Sequence, residues 1–397
     1  MNHPSLSVVA ALFFTLGVAS AAQPNEERRA RFKKMSEEAE LKGLASPFVG
    51  ITAQGAVQPG LFPVRATGVS TEPMREAALA YLAALTPEQR QATQFPVDDV
   101  EWRKWMNPDF YIRQGVPFRD MTETQRAAAF HLMRASLSAK GLQLSQDIMK
   151  LNQTLGEMTE DFERYGEGLY WITLMGEPSA TEPWGWQVDG HHLVINYFVL
   201  GDQVVMSPVF VGSEPITATS GKYQGTVILQ EEQRRGLQFI RSLDTAQRAT
   251  AVLAAGKTAN HNLTEAFKDN VVLEYAGISA AELTAGQKTA LTELMGIFIA
   301  NMDDGHARVK MEEVTAHLDA THFAWIGGME DDSVFYFRIH SPVVLIEFDH
   351  QKPINLRARS KTPDLPTRDH IHVVIRTPNG NDYGKDLLRQ HLHQHPH

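Results

Sequence analysis

The chain has 397 residues, a formal net charge of −10, 43% hydrophobic residues, 21% charged residues and no cysteine. The acidic balance, with no run of Lys and Arg, excludes a nucleic-acid-binding surface. Without thiols there is no disulfide, no cysteine nucleophile and no thiolate ligand, so the core must hold the fold alone and any metal must bind His, Asp or Glu.

Residues 8–18 form a short apolar run that ends at Ala19-Ser20-Ala21 and gives way to a polar segment. This pattern predicts a secretory signal peptide over 1–21 and a secreted or periplasmic mature chain over 22–397. No other stretch is apolar enough to span a membrane. Residues 23–43 are charged and predict a helix; the Gly-, Pro- and Thr-rich stretch that follows reads as loop. A Thr-Glu-Pro signal opens a helix over 71–85, and amphipathic helices follow at 121–138 and 144–159.

The period then changes. Residues 169–175, 191–200 and 203–210 are rich in β-branched and aromatic residues and predict strands, with a Gly201-Asp202 hairpin turn. Helices return at about 230–243, 245–255, 280–302 and 307–318. Strands return at 323–326, 333–340, 343–350 and 370–376, and a helix over 382–393 closes the chain. Helix blocks alternating with strand blocks imply an α+β fold with a mixed or antiparallel sheet. No linker interrupts the middle, so one domain over 22–397 is expected. The two halves carry no visible repeat.

Side chains alternate across a strand. In 370–376, His370, His372, Val374 and Arg376 share one face, and Ile371, Val373 and Ile375 share the other. Tyr336, Arg338 and His340 likewise share a face, as do Glu347 and Asp349. Counting from His191, alternation puts His192 and Asn196 on the polar face and His191 on the core side; a strand that begins only after His192 reverses this. Two imidazoles spaced i, i+2 on a strand reach one ion, and a further His or carboxylate completes an open catalytic site. His192, His370 and His372, with His191 beside them, are the candidate ligands. A divalent ion is expected, with zinc placed ahead of copper or iron. Glu347 is the candidate base, and Arg338 and Arg376 are candidate anion clamps. Trp184, Trp186, Asn196, Asp382 and Tyr383 are candidate pocket walls for a small-molecule substrate. The bland alternative is a polar sheet face that meets water. The terminal "HLHQHPH" reads as an incidental metal binder. No GxSxG, P-loop or GxGxxG pattern supports a serine hydrolase or a nucleotide enzyme.

The blocks "WGWQVDGHHLVINYFV", "PVFVGSEP", "FYFRIHSPVVLIEFDHQ" and "HIHVVIRTPNGNDYGKDLLRQH" resemble the DUF3500 family, a domain of unknown function. The resemblance covers nearly the whole mature chain and implies an exported bacterial protein. It brings no reaction with it. This sequence departs from the pattern at Gly380 and at His340. The expected function is an exported metal-dependent enzyme, hydrolytic ahead of a copper or iron oxidoreductase, with a non-catalytic small-ligand binding protein as the competing class.

Overall fold

Thr86, Thr122, Asp244 and Thr284 open helices in the same way. Each side chain accepts from the backbone N–H three residues on, and the Gln there (Gln89, Gln125, Gln247, Gln287) accepts from the cap's own N–H. Two orphan donors are satisfied at each start. The glutamines then meet in pairs: Gln125 Nε2 donates to Gln89 Oε1 at 2.6 Å, and Gln287 Nε2 to Gln247 Oε1 at 2.7 Å.

The computed structural model describes residues 25–395, so the expected signal peptide lies outside it. In chain order, the first part runs α1 (Asn25–Gly43), α2 (Glu72–Ala84), α3 (Pro87–Thr93), β1 (Gln94–Phe95), β2 (Val116–Pro117), α4 (Glu123–Ser136), α5 (Ala139–Thr159), β3 (Tyr170–Met175), β4 (Trp184–Gly190), β5 (Leu193–Leu200) and β6 (Gln203–Ser213). The second runs α6 (Gln230–Ser242), α7 (Thr245–Ala251), β7 (Val252–Ala254), β8 (Ile278–Ser279), α8 (Ala285–Ile299), α9 (Asp304–Ala316), β9 (His322–Gly327), β10 (Phe335–His340), β11 (Leu345–His350), β12 (Ile371–Arg376) and α10 (Lys385–Gln394). The expected helices and strands are present, except that the helix expected over 245–255 ends at Ala251 and gives way to β7. The strand reading had merged the turn at His191-His192 with β5 and passed over β4 as a separate strand.

All of these strands join one sheet, ordered β1-β3-β4-β5-β6-β12-β11-β10-β9-β7, with β2 against β3 and β8 against β9. The pairings β1–β3 and β7–β9 are parallel and the rest antiparallel. The α+β expectation with a mixed sheet therefore holds. Although no repeat is visible along the sequence, the second half of the sheet retraces the first. Each half is a four-stranded meander with one parallel and one antiparallel short strand on its outer member. The registers also coincide. Ile195 pairs with Val209 as Ile346 pairs with Ile375, and Val209 and Ile375 then pair with each other. A pseudo-twofold axis thus passes through the middle of the sheet. It pierces the helical layer too, where Leu137 bridges Met302, Ser138 N–H donates to Asn301 O and Asp303 N–H donates to Ser136 O.

The axis explains the two sheet faces. One faces the helices and is aromatic: Trp186 donates to Ser136 of α4 at 3.2 Å, Tyr197 reaches Met74 of α2, and Phe337 lies 6.2 Å from Phe298 of α8. The opposite, polar face does not meet water. Two irregular straps, residues 96–113 from the first half and 257–275 from the second, cover it. Every residue of β10, β11 and β12 is buried. A buried polar face requires partners for its charges, and the straps supply them.

Candidate metal centre

His191 and His192 form the two-residue turn between β4 and β5, because the ladder closes at Gly190–Leu193. The strand therefore starts after His192, and the alternation counted from His191 does not apply to the pair. His192 has φ 62°, in the left-handed region that non-glycine residues seldom occupy. Its N–H faces Asn107 O of the first strap at 3.4 Å, and its carbonyl accepts from Gly212 of β6 at 2.9 Å. The strained turn aims the His192 ring across β6 at the end of β12.

There it meets His370 and His372. The Nε2 atoms of His370 and His372 are 3.0 Å apart, those of His372 and His192 3.2 Å, and those of His370 and His192 3.4 Å. Two ligands at 2.0–2.1 Å from a tetrahedral ion stand about 3.3 Å apart, so the triangle has the size of a tetrahedral face. Among the described residues these three are the group whose spacing suits an ion. The opposite nitrogens are tied down. His370 Nδ1 lies 2.7 Å from Lys352 O, and His372 Nδ1 2.8 Å from Glu265 Oε1. Acceptors at Nδ1 put the proton there and turn the Nε2 lone pairs of His370 and His372 toward the point that His192 Nε2 also reaches. The chain offers no proton to separate them at neutral pH. Burial, with His372 close by, lowers His370 to about 4; burial alone lowers His372 to about 3. Burial and the three neighbouring imidazoles hold His192 well below its ordinary value.

Two acidic residues that the sequence reading missed complete the surroundings. Glu214, at the end of β6, lies 3.8 Å from His370 Nδ1 and anchors the 351–370 loop by accepting from the N–H groups of Ile354, Asn355 and Leu356. Glu265 comes from the second strap. Its side chain is 35% exposed, so it reaches from His372 to solvent, and burial of the remainder raises its carboxyl to about 7. The signal for Glu265 was the string "NHNLTEAF", which has no period of its own. Only the groups that fasten the strap reveal its role.

Those groups are the expected catalytic residues, which the structure assigns to other work. Glu347 accepts from the N–H groups of Leu263 and Thr264 at 2.9 and 3.0 Å, from the Thr264 hydroxyl, and from Tyr336 at 2.7 Å. Both of its oxygens are engaged in fastening the strap. Asp349 beside it accepts from His261 N–H at 2.6 Å and pairs with fully buried Lys257 at 2.7 Å. Arg376 donates to Thr264 O and Glu265 O and pairs with Asp269 and Asp382. Arg338 donates to Glu274 O at 3.1 Å and makes no contact with the triad.

The other candidates also lie elsewhere. His191 Nδ1 lies 2.8 Å from Asn152 Oδ1, and its ring centroid is 4.0 Å from that of His192, so it backs the triad without joining it. Trp184 and Trp186 are fully buried in the core and donate to Ser179 O and Ser136 Oγ. Asn196 is buried between Gln187 and Pro208 O. Tyr383 links Trp105 to Asp269, and Asp382 caps Thr377 N–H at 2.8 Å. None of these lines an open pocket at the triad. His340, on β10, is also buried.

Asp269 joins the two straps. It accepts from Arg103 of the first strap at 2.8 Å, and from Arg376 and Tyr383. Burial works against its charge, yet Arg376 and Arg103 hold its carboxyl below the ordinary value.

Among the described residues no helix is long and apolar enough to cross a membrane. No curated protein and no solved structure matches the chain. A family model described as a protein of unknown function (DUF3500) matches residues 67–385, a span that runs from just before α2 through both meanders and contains every residue of the triad. The chain belongs to the DUF3500 family.

Proposed function

We propose that this protein is a metal-dependent enzyme, hydrolytic in type, that acts on a small organic substrate at the His192–His370–His372 triad. The observation that carries the reading is the convergence of three Nε2 atoms within 3.0–3.4 Å of one another. Three neutral imidazoles with no fourth protein ligand among the described residues are the donor set of a catalytic zinc site; structural sites close with a fourth. Zinc stays ahead of copper or iron. An ion held there supplies Lewis acidity, polarising a carbonyl or lowering the pKa of water to about 7. The chain's own residues do the rest. Lys352 O and Glu265 fix the ring orientations of His370 and His372, and Glu265 is a proton acceptor that connects the triad to solvent.

The test is elemental analysis of protein purified without a tag. About one ion per chain is expected, falling to none in His372→Ala. Hydrolysis of an activated ester should vanish on treatment with a chelator and return with zinc. A wild-type chain without metal, or His372→Ala with undiminished metal, overturns the reading.

A further inference from the structure

The pseudo-twofold axis allows each charged group of one half to be compared with its counterpart in the other. In the first half, Trp171 pairs across the ladder with Asp189, and Thr173 with Gln187. In the second, His322 pairs with His340, and Ala324 with Arg338. Arg113 stands two residues before Gly115 (φ 86°), and Tyr275 two before Gly277 (φ 83°). So Asp189, Gln187, Trp171 and Arg113 correspond to His340, Arg338, His322 and Tyr275.

The first set pairs its charges, although Asp189 Oδ2 has no hydrogen-bond partner among the described residues. Arg113 donates to Asp189 at 2.9 Å and lies over Trp171, 5.5 Å from its ring centroid. The second set keeps a cation and loses the acid. Arg338 is 5% exposed and makes one hydrogen bond, to Glu274 O. Its cross-strand neighbour Glu347 is turned to the strap and forms no ion pair with it. Arg103, Arg113 and Arg376 each have a carboxylate partner. Around Arg338, four buried polar atoms have no partner among the described residues: its own Nε, His340 Nδ1, His322 Nδ1 and Tyr275 OH. The Tyr275 ring lies 4.8 Å from that of His322 and 4.6 Å from that of His340. A buried guanidinium with no ion pair, only the more distant charge of Glu347, amid polar atoms without partners, is costly unless something anionic completes it.

We propose that the second half binds a small carboxylate here, beside Arg338, because the position that Asp189 fills in the first half carries the imidazole of His340 and no acid. The charge of Arg338 rules out a cation on the two imidazoles. One guanidinium matches one negative charge, and its planar fork fits a carboxylate better than a doubly charged phosphate. Tyr275 and His322 are half-buried, so the cluster opens to solvent on their side. The site is separate from the triad, and its failure would leave the triad reading standing.

The test is calorimetric titration with sodium acetate against sodium chloride at equal ionic strength, on the wild-type chain and in the His372→Ala background, where acetate on a triad metal cannot contribute. Saturable acetate binding in both is expected, weakened at least about tenfold by Arg338→Met. Should Arg338→Met not fold, Tyr275→Phe and His322→Ala decide, because both alter half-buried side chains; each should weaken acetate several-fold in a folded protein. Acetate heats no different from those of chloride, or acetate affinity unchanged in the folded variants, overturn the proposal and assign the cluster to solvent.

Discussion

The two halves share topology, helix-start chemistry and register, yet among the described residues only one end of the sheet brings three imidazoles to one point. The place of His192 in the β10–β11 turn is taken by Val343. Asp349 faces His372 across the ladder, and its counterpart Phe198 faces Val205. Two residue pairs further out, the counterpart of His370 is Gln203. The mirror position is thus Val343, Val205 and Gln203, which cannot bind a soft divalent ion. The connections differ as well. β5 and β6 join through Gly201-Asp202, whereas residues 351–370 separate β11 from β12 and bring Lys352 O to His370. A symmetric scaffold supplies two equivalent strand ends. The long loop, the imidazoles and a strap carrying Glu265 make one of them a site.

The comparison breaks most severely at the joint between the straps. Arg376→Met leaves Asp269 and Asp382 buried without their main guanidinium, and stability should fall by about 3–5 kcal/mol. Denaturant unfolding checks this. A loss under about 1 kcal/mol would mean that the straps do not depend on this joint.

A smaller change should separate site from scaffold. Glu265→Gln keeps a partly exposed side chain but removes the carboxylate that holds His372. Loss of such an outer partner costs about 10–100-fold in metal affinity, with little change in unfolding. Chelator competition reads the first quantity and thermal unfolding the second. Equal metal affinity in the variant would reduce Glu265 to a strap residue.

The straps also differ in how their acids are held. On the first, Glu101 is 3% exposed; burial, against the pull of Lys104, raises its carboxyl to about 8. Between its ordinary value of 4.5 and about 8 the folded chain binds a proton that the unfolded chain has lost. Stability from this group therefore declines as pH rises through that window. Glu101→Gln removes the decline. It should be close to wild type near pH 4 and more stable at pH 9 by upwards of about 1.4 kcal/mol, the worth of one pH unit. Parallel melting curves across pH would show no divergence if Glu101 ionises freely in the folded chain.

Much of this was legible in the residues. Periodicity located the helices and the main strands, and alternation along 370–376 put His370 and His372 on one face, where they lie. Convergence of these two with His192 was also foreseen. His192 lies on the site side and His191 behind it, hydrogen-bonded to Asn152, as expected, although a two-residue turn leaves no alternation to count and the facing has another cause. Glu347, Arg338 and Arg376 share the polar face with the triad, but the sequence does not say that a strap will cover that face and consume them. The repeat was in view at the helix starts, where "LTPEQRQAT" answers "LDTAQRAT" and "MTETQRAAAFHLM" answers "LTAGQKTALTELM". It escaped notice because the strands had diverged: "WGWQVDGHH" and "FYFRIHSPV" share register but few residue types.

Those helix starts give the finest test of the symmetry. Gln125 accepts from Thr122 N–H at 2.9 Å and donates to Ala84 O at 3.1 Å and to Gln89. Gln287 accepts from Thr284 N–H at 2.9 Å and donates to Ser242 O at 3.0 Å and to Gln247. The same bonds are made to equivalent partners, so Gln125→Ala and Gln287→Ala should each cost about 1 kcal/mol. Gln125 is buried and Gln287 half-buried, so water compensates the lost bonds better in the second half. The first substitution should be the costlier by a few tenths of a kcal/mol, on the order expected for that difference in exposure. The two sites share no partner, so the double variant should be additive within about 0.5 kcal/mol. Chemical denaturation of the three variants decides. A full cost in one half with none in the other would show that the shared geometry does not carry shared energetics.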